Sequence, residues 1–64
     1  MFVDIVKIQQ WLDSFNGTQD DLAKVLGCCR ATANYKMNGK SNFTLPDVKR
    51  IAEASGKKIS FFLL

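Results

Sequence analysis

Sixty-four residues, 47% of them apolar, make one small globular domain with room for a single core, which excludes a disordered chain and a multidomain one. Nine Lys and Arg against six Asp and Glu give a net charge of +3, with no His and only the adjacent Cys28 and Cys29, a set too thin for a zinc site or an ordinary structural disulfide. No apolar run approaches the ~18–20 residues needed to span a bilayer, and Asp4 and Lys7 interrupt any signal-peptide layout, so a cytoplasmic address with reduced thiols is expected.

Taken in order, the chain opens with an apolar set from Phe2 to Phe15. Ile5, Ile8, Leu12 and Phe15 share one helical face with Trp11 beside them, Asp4 is a cap and Asn16-Gly17 a stop, which predicts a helix over about 4–14. The β-branched residues at the start leave a short strand at 1–6 as the alternative. Trp11 is expected in the core, because so short a helix needs its largest residue inside.

Thr18 to Gly39 is the stretch around which the rest is organised. Thr18 with Asp21 forms a capping box in which Asp replaces the usual Glu and reaches back less far. Asp20 and Asp21 suit the positive end of the helix dipole. Leu22, Val25 and Leu26 supply the apolar stripe, and Gly27 stops the helix, predicted over 19–26. A second helix is predicted over 30–37, with Cys29 a poor cap, Ala33 and Met37 inward and Gly39 at its end. Helix, glycine turn, helix is the helix-turn-helix pattern. Its outward positions are Arg30, Ala31, Asn34 and Tyr35, flanked by Thr32 and Lys36. Arg pairs bidentately with guanine, Asn with adenine, and a methyl group contacts thymine. Cys28 is expected to pack as a small hydrophobe in the turn, with oxidation of the thiols as a switch the lesser alternative.

Gly39 to Asn42 is a small polar loop carrying Lys40. Thr44 and Asp47 form a second capping box, Pro46 sits in the first turn, Phe43 staples the helix from outside, and Gly56 ends it, giving 45–55 with Val48, Ile51 and Ala52 inward. Lys49, Arg50, Lys57 and Lys58 are expected to be solvated. Ser60 is a candidate cap for a short helix over 60–64. The four bulky residues that end the chain cannot all enter so small a core, so some are expected at the surface or against another chain.

At these residues a resemblance is plain. TQDDLAKVLG, then R-A-T, then NGKSNFTLPDVKRIAEASG is similar to the Cro/C-type phage repressor family of helix-turn-helix proteins, over roughly Ile5 to Leu63. It implies an all-α, four- to five-helix, lambda-repressor-like domain spanning residues 1–64. It also implies a loop at Gly39–Asn42 lying along the phosphate backbone and a dimer contact near the C-terminus. Relatives usually carry a bulky apolar residue where this chain has Lys36, many carry a larger aliphatic at Ala33, and many carry a polar base reader at Ala31.

Charge distribution agrees with that expectation. Met1–Cys29 carries two Lys against four Asp, net −2, while Arg30–Leu64 carries seven Lys and Arg against Asp47 and Glu53, net +5. A basic surface centred on the second motif helix suits phosphate, although a solvated charged face is the plainer reading. The expectation is a regulator that binds a pseudo-palindromic double-stranded operator as a homodimer. Arg30, Ala31, Asn34 and Tyr35 would meet bases, and Gln19, Thr32, Lys36, Lys40 and Ser41 would meet phosphates. The alternative is a protein-binding helix-turn-helix module such as an antirepressor or antitoxin. No catalytic constellation, cofactor motif or aromatic platform for single-stranded RNA is visible, so neither an enzyme nor an RNA reader is expected.

Overall fold

In the computed structural model, which describes residues 3–64, Asp4 opens the first helix by accepting hydrogen bonds from the Val6 and Lys7 N–H groups. This helix, α1, runs Ile5–Asp13 and buries Ile8 and Leu12. It ends two residues short of Phe15, which therefore leaves the inward stripe. Phe15 is 49% exposed, not part of the inner face expected for it. Its ring meets Trp11 edge-on at 5.3 Å, and Trp11 packs half-buried against the rim of the core.

The second helix, α2, runs Gln19–Leu26 behind a complete capping box. The Asp21 N–H donates to Thr18 Oγ1 at 3.4 Å, and the Thr18 N–H donates to Asp21 Oδ2 at 2.8 Å, so the shorter acid does reach. Gly27 takes φ +71°, a left-handed conformation that lets its own N–H and that of Cys28 return to the Lys24 and Ala23 carbonyls. Arg50 is exposed as expected, yet it also donates from Nη1 to the Leu26 carbonyl at 2.6 Å and closes the end of α2 from a distant part of the chain.

The third helix, α3, spans Arg30–Met37, and the fourth, α4, spans Leu45–Ser55. Thr44 and Asp47 repeat the capping box at the head of α4. Phe43 and Val48 occupy the two staple positions around that cap, and both are buried, so Phe43 is a core residue rather than an outer clip. The core is a single cluster in which Leu22, Leu26, Ile51 and Val48 meet Ile8 and Leu12. Ala23, Ala33 and Ala52 are the small buried members of the same cluster.

The predicted fifth helix over 60–64 is a 3-10 turn, Ile59–Phe62, and Ser60 lies inside it rather than capping it. Phe62 is fully buried, Leu63 is half-buried, and Phe61 and Leu64 remain exposed, so the apolar ending divides as the size of the core requires. The Asp4 N–H donates to the Phe62 carbonyl at 2.7 Å, and Val3 pairs with Leu63 in an isolated antiparallel bridge. That bridge is what the structure shows of the strand alternative at 1–6; Met1 and Phe2 lie outside the described residues. The described residues thus form a compact all-α domain of four helices and a 3-10 turn, with no strand. None of these helices is long and apolar enough to cross a membrane.

Candidate nucleic-acid interface

The turn from Gly27 to Cys29 brings α3 against α2. Ala33 is completely buried and anchors the inner side of α3; Met37 and Cys28 pack against the same core. The outer side is open. The Arg30 side chain is 67% exposed, Tyr35 is 51% exposed, and Ala31 and Asn38 are exposed with them. Arg30 has Asp20 at 3.6 Å. An exposed pair of this kind contributes about 0–1 kcal/mol, so the guanidinium is free to exchange the carboxylate for another acceptor.

Two residues assigned from sequence to the outer face are placed differently. Lys36 turns inward. Its ammonium donates to Asp47 Oδ2 with only 12% of the Lys36 side chain and 9% of the Asp47 side chain exposed, and it lies 5.9 Å from the centre of the Phe43 ring. A phosphate contact would require that pair to open, so Lys36 leaves the phosphate set and becomes a tie between α3 and α4. Burial works against the Asp47 carboxylate, but hydrogen bonds from Lys36 and Thr44, together with the Lys36 charge, outweigh it and hold its pKa below the ordinary value.

Asn34 is half-buried, and its amide is engaged at both ends. Nδ2 donates to Gln19 Oε1 at 2.6 Å, and Oδ1 accepts from Asn38 Nδ2 at 2.8 Å. A bidentate contact to adenine needs both of those edges, so Asn34 is not presented as a base reader. Gln19, the first residue of α2, keeps its own NH₂ group outside this pair.

The loop after α3 also differs from expectation. Gly39, at φ +77°, allows the N–H groups of Gly39, Lys40 and Ser41 to turn back onto the Lys36 and Tyr35 carbonyls. These N–H groups are therefore not free for phosphate, and what the loop offers is the Lys40 ammonium and the exposed Ser41 side chain. Lys40 sits 5.7 Å from the centre of the Tyr35 ring, so charge and aromatic surface stand together at the end of α3.

At the other end, exposed Cys29 makes no side-chain hydrogen bond to the backbone as a cap. Its sulfur lies 3.2 Å from Thr32 Oγ1. That hydrogen bond, aided by the N–H groups at the start of α3, lowers the thiol pKa. Thr32 is half-buried in its flanking position, with its hydroxyl against the Cys29 sulfur.

Sequence reasoning missed Asn38, Asp47 and Arg50 as residues that shape this surface. Asn34 and Asn38 are four apart on one helix, a spacing that was legible. The partners of Asn34, Lys36 and Arg50 on other elements left no local signal. Set beside family models, curated proteins and solved structures, the chain matches none.

Proposed function

We propose that this domain binds double-stranded DNA through the outer side of α3 and acts as a transcriptional regulator. The observation that carries the reading is that bare outer side. Arg30, Ala31 and Tyr35 stand exposed on a helix whose opposite side is locked into the core by Ala33. An α-helix fits the major groove, where Arg30 is suited to guanine O6 and N7 and the Ala31 methyl to thymine. Lys40, Ser41 and the Gln19 amide flank the helix and are suited to phosphate oxygens. A homodimer would set two α3 helices about 34–36 Å apart on a pseudo-palindrome.

Selection from a random duplex pool tests this. The expected result is an enriched, two-fold symmetric motif whose affinity falls linearly with the logarithm of salt concentration. Failure to enrich any sequence contradicts it.

A second reading has its own observation. Phe61 and Leu64 are exposed, with Lys7 and Lys57 each about 5 Å from the Phe61 ring centre. An exposed apolar surface rimmed by charge suits a protein partner. Under that reading, a domain that ignores DNA in the selection would still shift a partner protein in gel filtration.

A further inference from the structure

Resting on the DNA-binding reading above, we infer that Asn34 is a positioning residue: it fixes which end of the Gln19 amide faces the nucleic acid. Three amides are joined in one direction. Asn38 Nδ2 donates to Asn34 Oδ1 at 2.8 Å, and Asn34 Nδ2 donates to Gln19 Oε1 at 2.6 Å. Each primary amide has one carbonyl and one NH₂, so fixing one end of the row fixes the other. Asn38 is the C-cap of α3, at the negative end of that helix, where an N–H is favoured over a carbonyl. The direction set there passes through Asn34 and occupies the Gln19 carbonyl.

What remains open on Gln19 is its NH₂. A phosphate oxygen only accepts hydrogen bonds, so Gln19 meets it with the correct group. With the row reversed, Gln19 would turn carbonyl lone pairs toward the phosphate and repel it. Asn34 thus acts on DNA through Gln19, from a half-buried place fifteen residues away in sequence.

The test is a double-mutant cycle on the duplex enriched by the selection. Asn34→Asp is nearly isosteric but can only accept, so Gln19 must turn its NH₂ inward and present its carbonyl outward. Asn34→Asp is expected to weaken binding by about tenfold or more in the wild-type background. In a Gln19→Ala background it should weaken binding much less, because only the added charge remains. Equal losses in both backgrounds overturn the inference.

Gln19→Glu keeps the inward acceptor, removes the outward donors and adds a negative charge where the phosphate would sit, all without disturbing α3. It should also weaken binding, and wild-type affinity in this variant overturns the inference. Repeating the selection with Asn34→Ala gives a readout that a base contact would move. The motif should stay the same at lower affinity, whereas a changed base preference at one position makes Asn34 a direct reader and overturns the positioning role. If the wild-type chain enriches no duplex, the DNA-binding reading fails and this inference fails with it. If the wild type binds but the cycle shows no coupling, only the inference fails.

Discussion

Arg30 and Lys40 carry similar charge at opposite ends of α3, yet they are expected to fail differently. Arg30 stands where a guanidinium can reach a base edge, so Arg30→Ala should cost about 1–3 kcal/mol on the selected duplex and relax preference at one base pair. Lys40 sits over Tyr35 at the edge of the face, so Lys40→Ala should weaken all duplexes alike and reduce the salt slope by about one charge. Fluorescence anisotropy on matched and mismatched duplexes at several salt concentrations separates the two. Cys29 makes a third prediction independent of DNA. It holds the cap position of α3 without capping it, and Ser is a far better N-cap. Cys29→Ser should raise stability by about 0.5–1 kcal/mol in urea unfolding. The Cys position was legible from sequence because capping is local. The fate of Asn34 was not, since an outward helical position gives no hint of an acceptor waiting on the preceding helix.

At the level of the elements, the tie between α3 and α4 is the feature that local pattern concealed. Lys36 was read as flanking the outer face with its ammonium toward phosphate, and Asp47 was read as a cap, which it is. The same carboxylate also accepts the Lys36 ammonium, so one residue closes α4 and secures α3. Removing the acid strands a charged group, whereas removing the base leaves Asp47 with its Thr44 hydrogen bonds. Asp47→Ala should therefore cost about 1.5–3 kcal/mol, and Lys36→Met clearly less, in matched thermal unfolding experiments.

The pH dependence follows from the lowered pKa of Asp47. A carboxyl group depressed in the folded state stabilises the fold above its unfolded pKa. That contribution is lost as pH drops below about 4, through the folded value. Asp47→Asn should flatten the acid limb of a stability-versus-pH curve. Both capping boxes, both motif helices and the stop at Gly27 were legible, because each rests on residues within a few positions of one another. The inward turn of Lys36 and the reach of Arg50 to Leu26 span eleven and twenty-four residues, beyond what local spacing encodes.

Across the whole molecule, one small core supports the exposed outer side of α3, which makes no core of its own. A domain of this size rarely has more than ~3–5 kcal/mol from its core. Phe62 fills the centre of that core from the far end of the chain, and its carbonyl holds the Asp4 N–H at the start of α1. Phe62→Ala should cost about 3–5 kcal/mol and unfold most of the population at room temperature, as circular dichroism would show. The sequence pattern indicated that the four bulky residues at the end could not all enter so small a core. Which of them would enter was not legible, because a 3-10 turn places side chains at a different angle from the helix expected there.

In the proposed function, α3 presents its outer side to base pairs. Amide chemical-shift mapping of the ¹⁵N-labelled domain, titrated with the selected duplex, tests that directly. The largest changes are expected on Arg30, Ala31, Tyr35 and Lys40, with Gln19 beside them. Changes confined to α4 and the 3-10 turn, leaving α3 unmoved, would contradict that proposal.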